Sequence, residues 1–389
     1  VTSRQSQERH GRIPEVAVLV DTSRSYGRDI VRGIRCYVAE HGPWSLYLEP
    51  RDLHSQFPVW LKKWKGDGIL SRTVDETLLR QLKATKLPVV ELRTTVLKHP
   101  FPFVGMDNSV VGERVAQHLR NRGFQHFACV LDDSENFFIE RSELFAQTVR
   151  GLGCECPVFH SQRQHWGQHQ RELASWLRDL PKPGGVFAVN DQMGFWVLDA
   201  ARRFGIAVPE EVAVVGAEND NMLCETASPP LSSVRLRGQA VGYHAAKLLD
   251  EWMAGRRIPQ PAERHYLLPG DIVVRQSSDI VAVEDARIAA ALRFIRQHAT
   301  EQIDVPRIAR EAALSRTVLE RRMKVLIGRS PEEINRLRFA AVEKLLAQTD
   351  LTLDAIAARC GFTHPQYMAE AFKKRQGITP GEFRKRRKT

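Results

Sequence analysis

From Glu15 onward the chain alternates short apolar runs with stretches whose apolar residues recur at helical spacing. The runs predict strands at Val16–Val20, Ser45–Glu49, Gly68–Leu70, Val89–Leu92 and Phe103–Met106. A second set follows at Phe127–Leu131, Pro157–His160, Gly185–Val189, Val212–Gly216 and Ser232–Leu236. Helical patterns fall between most of them, at Asp29–Glu40, Val110–Arg122, Glu140–Leu152, Arg171–Leu180, Phe195–Phe204 and Ala240–Ala254. Runs apolar throughout, separated by amphipathic helices, are the mark of parallel sheets covered on both faces. A break near Asp107-Asn108 divides the strands into two similar lobes, and the rhythm stops at Arg275–Glu284, which reads as a linker.

Beyond the linker the pattern is wholly helical and repeats. Ile308-Ala309-Arg310-Glu311-Ala312-Ala313-Leu314-Ser315 leads into a helical stretch ending at Gly328, then Ser330-Pro331-Glu332-Glu333. Ile356-Ala357-Ala358-Arg359-Cys360-Gly361-Phe362-Thr363 leads into a second, ending at Gly377, then Thr379-Pro380-Gly381-Glu382. The offset is 48 residues in the leading helix and 49 afterwards, so one extra residue lies in the second turn. Each copy closes on a capping box with proline at the first helical position.

At about 100° per residue, Leu319, Met323, Leu326 and Ile327 share one face of the second helix of copy one, and Thr317, Glu320, Arg321 and Lys324 the other. In copy two, Gln366, Ala369, Glu370 and Lys373 lie opposite Met368, Ala371 and Phe372. An apolar anchor under a short polar and basic face suits a helix lying in a major groove. Arg316 and His364, at the starts of these helices, join the candidate DNA contacts. The segment from Glu332 to Thr349 between the copies would span roughly 27 Å as a helix. That is close to the spacing of about 34 Å between successive groove turns.

Charge sharpens the division. Residues 285–389 carry 22 lysines and arginines against 12 acids, a net of +10, and the first 284 residues carry 35 against 34, a net of +1. Almost all of the chain's +11 therefore sits where the repeat is, the electrostatic footprint of a phosphate-binding domain. The terminal run Arg384–Lys388 reads equally as part of that footprint or as a solvated tail.

Ala357-Ala358-Arg359-Cys360-Gly361-Phe362, with Tyr367, Phe372-Lys373-Lys374, Gly377, Thr379-Pro380 and Phe383-Arg384, resembles the signature of the AraC/XylS family of transcription regulators. Met323 and Met368 depart from the aromatics usual in that family but remain apolar on the buried face, so they should change packing more than function. The two-lobed region resembles the effector domains of LacI/GalR-type regulators and periplasmic sugar-binding proteins. Asp21–Gly33, Val104-Gly105-Met106-Asp107-Asn108, Val189-Asn190-Asp191, Pro209–Gly216 and Leu231–Val234 carry this resemblance, in order over roughly 260 residues.

The expected architecture is an α/β two-lobed periplasmic-binding-protein-like domain followed by an all-α double helix-turn-helix domain. Its expected bounds are a tail at 1–12, lobes at 13–275 with crossovers near 107 and 234, a linker at 276–284, and a DNA-binding domain at 285–389. The helix-turn-helix units fall near 304–327 and 352–376. Ligands of open parallel sheets bind beyond the carboxyl ends of the strands. Asp21, Asn190, Asp191, Glu218 and Asn219 stand there, residue types whose carboxylates and amides suit neighbouring hydroxyls. The same positions also suit helix N-caps, and Asp107-Asn108 reads as a cap before the helix at Val110. Tyr26, Phe137, Phe138 and Trp196 are candidates for an apolar wall against a sugar ring, with a core role as the alternative for Trp196.

The resemblance implies that Arg141 reaches the sugar and that the ligand is a small neutral sugar, D-xylose first and another pentose next. Glu218 departs from the aspartate of the resembling pattern, and one added methylene in a closed pocket alters discrimination by about 1 to 3 kcal/mol. The resemblance further implies an activator that works as a homodimer with RNA polymerase. No catalytic residue, cofactor or metal is expected. The chain has no Gly-x-Ser-x-Gly elbow, His-Glu-x-x-His pair, phosphate-binding Gly-Lys-Ser/Thr loop or Gly-x-Gly-x-x-Gly turn after the first strand, which weighs against a sugar-processing enzyme. His165 and His169 read as a surface pair, and Cys154 and Cys156 as reduced loop thiols. Val1–Arg12 is polar without an apolar signal core, which weighs against an exported receptor and favours the cytoplasm.

Overall fold

The computed structural model describes residues 12–49, 58–73, 75–93, 98–161, 165–280, 282–283, 285–301, 303–327 and 333–388. Most of the expected tail, Val281 and Glu284 of the expected linker, and the first capping box at Ser330-Pro331 lie outside them. The chain divides into two compact units at Ile280/Val281.

The first unit holds two six-stranded sheets. Its strands are β1 (Glu15–Leu19), β2 (Ser45–Leu48), β3 (Gly68–Ser71), β4 (Val89–Glu91), β5 (Phe103–Met106), β6 (His126–Leu131), β7 (Val158–His160), β8 (Gly184–Ala188), β9 (Val212–Glu218), β10 (Ser232–Arg235), β11 (Arg264–Leu267) and β12 (Ile272–Val273). All ten strands expected from the apolar runs are present, and β11 and β12 are additional. The sheets read β2-β1-β3-β4-β5-β11 and β7-β6-β8-β9-β10-β12, so each lobe repeats one doubly wound order and adds a late edge strand. Every pairing is parallel except β10 with β12. Positions of β3, β4, β5 and β8 are buried throughout, which is why these strands are apolar without alternation.

The helices of this unit are α1 (Ser25–His41), α2 (Glu76–Thr85), α3 (Asn108–Asn121), α4 (Asn136–Gly151), α5 (Trp166–Asp179), α6 (Asp191–Arg203), α7 (Asn221–Thr226) and α8 (Gly238–Met253), with a 3-10 turn at Val59–Lys63. The chain leaves the first sheet after β5, returns after β10, and crosses again between β11 and β12. The third crossing has no signal in the apolar rhythm. The return is fixed by α8 lying directly on α1: a Cβ on Gly242 would stand 1.9 Å from the Ile30 carbonyl oxygen, so only glycine permits the approach.

The expected linker begins too early. Ser277 donates to the Val214 carbonyl (2.6 Å) and accepts from the Ser232 N–H (2.8 Å), and Ser278 is buried against His118. These serines complete the second lobe rather than leave it.

The second unit contains α9 (Ala286–His298), α10 (Val305–Glu311), α11 (Arg316–Ile327), α12 (Glu333–Gln348), α13 (Leu353–Arg359), α14 (Pro365–Gln376) and α15 (Pro380–Lys388). Asp304 caps α10 through the Arg307 N–H (2.8 Å) and Thr352 caps α13 through the Ala355 N–H (3.2 Å). The second capping box forms: the Thr379 N–H and hydroxyl both donate to Glu382 at 2.8 Å, and the Glu382 N–H returns to the hydroxyl at 3.3 Å. Phe339, Val342, Leu346, Ile356, Met368 and Phe372 form the core of this half.

Candidate ligand cleft and DNA-reading helices

The carboxyl ends of β1 and β3, adjacent strands in the first sheet, present Asp21 and Arg72, whose buried side chains form an ion pair. They straddle the point where the strand order reverses, the usual ligand crevice of such a sheet. Arg93, just past β4, pairs with Glu135, which precedes α4 in the other lobe, and both are buried. Arg24, before α1, lies 3.6 Å from Glu218 at the end of β9, a second charge pair across the lobes. Burial pushes the Glu218 carboxyl up, and the positive charges of Arg24, Arg141 and Arg72 act against that.

Aromatic rings order these guanidiniums. Arg72 and Arg93 sit 5.4 and 5.7 Å from the Phe137 ring centre, Arg72 lies 5.7 Å from Tyr26, and Arg24 lies 5.0 Å from Phe138. Arg141 lies 5.9 Å from Phe138 and is buried. Its Nε donates to Asn108 Oδ1 (3.1 Å) and its Nη1 to the Val189 carbonyl. Enclosure pushes the Tyr26 phenol up to about 12, against the lowering charges of Arg72 and Arg141.

The end of β8 is held differently. Asn190 caps α6, accepting from the Met193 N–H at 2.8 Å. Asp191 accepts from the Asp220 N–H and the Ser233 hydroxyl, both at 2.6 Å. Burial and then the nearby Glu218 charge push its carboxyl up to about 8, partly offset by these donors. The Ser233 oxygen in turn accepts from the Asn219 N–H at 2.9 Å. Asp191 and Ser233 therefore brace the corner Glu218-Asn219, whose φ values of 111° and 55° are left-handed. Asn219 Oδ1 accepts from Arg275 at 3.0 Å.

Of the eight expected ligand residues, Asp21, Tyr26, Arg141 and Glu218 gather in the cleft through mutual charge interactions. Asn190, Asp191 and Asn219 stand at the strand ends of the second lobe, where Asp191 is committed to internal bonds. Trp196 does not join them. It packs on Trp166 and His169, each 5.4 Å away, between α5 and α6. His169 is not on the surface either; it is buried, 2.8 Å from the Ser161 hydroxyl. Arg24, Arg72, Arg93 and Glu135 were not anticipated. Applying the strand-end rule to β3 and β4 as well as to β1 would have pointed to Arg72 and Arg93.

Several buried cleft atoms have no hydrogen-bond partner within the protein: Asp21 Oδ1, Arg72 Nε, Arg93 Nε and Nη1, and Asn190 Nδ2. Such atoms mark where a polar ligand would be received. A hollow of about 340 Å³ at the opposite end of the second sheet, by Phe127, Leu180 and Gly185, gathers no comparable charged set and is set aside as the candidate site. Among the described residues no group of three or more His, Cys, Asp or Glu could hold a metal, and no helix is long and apolar enough to cross a membrane.

In the second unit, Leu319 and Met323 are buried while Thr317, Arg321 and Lys324 are exposed. Met368 and Phe372 are buried opposite exposed Gln366, Glu370 and Lys373, and His364 is exposed at the N-cap of α14. Leu326, expected on the buried face, is 43% exposed. Arg316 donates to Glu320 at 2.8 Å along the outer face of α11. The terminal basic run is helical rather than a free tail, and Arg384 donates to the Leu351 carbonyl.

A two-lobed binding domain with a charged cleft, followed by tandem helix-turn-helix units, defines the class: a ligand sensor joined to a DNA reader, the build of a transcription regulator. The sequence matches the XylR N-terminal domain over residues 15–108, a periplasmic binding protein-like domain over 116–278 and a helix-turn-helix domain over 308–386. The chain is homologous over nearly its whole length to the xylose operon regulatory protein. It is 28% identical to that of Escherichia coli (strain K12) over 381 residues, covering 95% of this chain and 96% of the relative. The Haemophilus influenzae counterpart is also 28% identical, over 95% of this chain and 98% of its own. A solved structure of the xylose-binding transcription activator xylR superposes with a TM-score of 0.80 at 26% identity, covering 96% of this chain and 98% of that one.

Proposed function

We propose that this protein is a sugar-responsive transcription regulator, an activator of an operon of the xylose-utilisation type. A small neutral sugar, D-xylose first, binds between the lobes, and the closed form favours productive DNA binding. The observation that carries this reading is the cleft: charged groups from both lobes converge on buried polar atoms that lack protein partners. Arg141, Asp21, Tyr26, Glu218 and Asn190 contact the ligand, Asp191 and Asn219 shape the corner beside it, and Trp196 lies outside. Arg316, Thr317, Glu320, Arg321 and Lys324 of α11, with His364, Gln366, Glu370 and Lys373 of α14, face DNA. Two chains act together on paired half-sites, engaging RNA polymerase in the cytoplasm. The matched relatives are regulators, which supports a sensor over an enzyme.

Coupling requires that the ligand prefer the closed form, since equal binding to both forms switches nothing. The test is a thermal-shift series over pentoses and their oxidised and phosphorylated derivatives. A ligand at about 100 times its dissociation constant adds about 2.7 kcal/mol. A stabilising ligand should also change the affinity for promoter DNA in a gel-shift titration. A ligand that stabilises the protein without changing DNA binding would refute the regulatory reading.

A further inference from the structure

We propose that Glu91 is a positioning residue of the cleft: from beneath the ends of β3 and β4 it sets where Arg72 and Arg93 stand toward a bound sugar and the second lobe. The proposal rests on the reading of this cleft as the effector site and adds a residue that does not itself touch the ligand.

Glu91 ends β4, opposite Ser71 of β3, and is fully buried. Its Oε1 accepts from the N–H groups of Thr73 (2.9 Å), Leu92 (3.1 Å) and Arg93 (3.0 Å). Its Oε2 accepts from the Thr73 hydroxyl, which lies 3.3 Å from the Ser71 hydroxyl. Three backbone amides and one hydroxyl thus converge on a single carboxylate, and no cation is among these donors.

Placement shows what those bonds hold. Thr73 directly follows Arg72, and one of the amides is that of Arg93 itself, so the segments carrying both guanidiniums are tied to one side chain. From there Arg72 pairs with Asp21, Arg93 pairs with Glu135 of the second lobe, and both approach the Phe137 ring. Arg72 Nε and Arg93 Nε and Nη1 have no partner within the protein, and each can donate to a lone pair of a sugar hydroxyl. The aim of these N–H groups therefore depends on Glu91.

Cost argues in the same direction. Burial pushes the Glu91 carboxyl up to about 7, and its four donors act against that rise. A strand end that had only to be buried would be apolar, as Val89 and Val90 before it are, without the cost of enclosing a carboxylate. The second lobe repeats the device. Asp191, also fully buried, joins the Asp220 N–H to the Ser233 hydroxyl and braces the corner that carries Glu218. Each lobe therefore keeps one buried acid behind the residues that face the cleft.

The test uses the full chain and calorimetric titration with D-xylose. Glu91→Leu removes every acceptor and should weaken binding roughly tenfold or more in protein whose circular dichroism shows it folded. Glu91→Gln should restore most of that loss. Its amide oxygen can accept the three N–H groups while its nitrogen donates to Thr73, whose proton turns to Ser71. With Arg72→Met and Arg93→Met already in place, Glu91→Leu should have little further effect on affinity, because its influence passes through those two residues. No loss in Glu91→Leu, or an equal loss with and without the arginines, would overturn the positioning role and leave the effector-cleft reading intact. Should Glu91→Leu not fold, Thr73→Val takes its place: it keeps the side-chain shape, removes one donor, and should lower the affinity by a factor of about three or more. Unchanged affinity there would likewise overturn the role. Wild-type protein that does not bind D-xylose would overturn the reading of the cleft for that sugar, and urea unfolding then decides for Glu91. Glu135→Ala should cost less stability in the Thr73→Val protein than in the wild type, because Arg93 is already displaced from Glu135, and an equal cost would overturn the role.

Discussion

Arg93 in the first lobe and Glu135 in the second form a buried ion pair across the cleft, joining residues 42 positions apart. Separating the lobes would break it, so the pair acts as a latch on the closed arrangement. Removing one partner of a buried pair strands the other, at a cost of about 3–5 kcal/mol. Glu135→Ala should therefore lower the unfolding free energy of the first unit, read from urea titration, by that order. Arg93→Met with Glu135→Leu should recover most of the loss, and a double-mutant cycle showing additive effects would refute the latch.

The relay from Asp191 through Ser233 to the Asn219 N–H predicts a second outcome. Ser233→Ala leaves the buried Asp191 carboxylate short of a donor and the left-handed corner unbraced. The expected cost is about 1–3 kcal/mol in thermal unfolding. Ligand affinity should fall as well, although Ser233 is not placed against the ligand. A calorimetric titration at full folding would show whether it does.

His118 sets an acid limit on stability. Arg122 can only donate, so Nδ1 of the imidazole accepts from it at 3.0 Å and the proton sits on Nε2, facing the Ser278 hydroxyl at 2.8 Å. Burial, then the Arg122 charge, pushes the ring down to about 3. Because the folded value lies below the unfolded value of about 6.5, unfolding takes up a proton in between. The stability contributed by neutral His118 is complete above about pH 6.5 and is lost as pH falls toward 3, by something on the order of a few kcal/mol. His118→Gln should flatten this acid limb between pH 6.5 and 4 in a series of melting curves.

The turns of the two helix-turn-helix units give a matched pair of substitutions. Ala313 and Gly361 occupy equivalent positions and both are left-handed, with φ of 50° and 72°. Alanine pays about 1 kcal/mol or more there and glycine does not. Ala313→Gly should raise the melting temperature of the second unit. Gly361→Ala should lower it by a larger amount, because the added Cβ would stand 2.8 Å from the Glu301 carbonyl oxygen.

For DNA, Thr317→Ala and Arg321→Ala should each weaken specific promoter binding by about 1–3 kcal/mol, and nonspecific binding by less. Lys373→Ala should instead reduce the slope of affinity against salt by about one. Competition gel shifts at several salt concentrations separate the two roles, and an equal loss on all sequences would remove Thr317 and Arg321 from base reading.

Local pattern determined much of this protein. Strands buried on both faces must be apolar, so β1, β3–β5, β8 and β9 are legible as runs, and the helices of each unit follow from their spacing. The repeated helix-turn-helix was equally plain, since each copy carries its own turn, anchor and outer face. The edge strands β11 and β12 were not legible, because Arg264-His265-Tyr266-Leu267 is partly exposed and β12 spans only two residues. Asp21, Asn190 and Glu218 were found because a strand end is a local feature. What they meet was decided by tertiary structure alone. Asp21 and Arg72 are 51 residues apart, and Arg93 finds Glu135 only because two separately built sheets face each other. Trp196 shows the converse: its type suited a sugar wall, but the rotation of α6 turns it onto α5. Side-chain periodicity fixes which face of an element is buried, and the packing of one lobe on another fixes which buried charges must share a cleft.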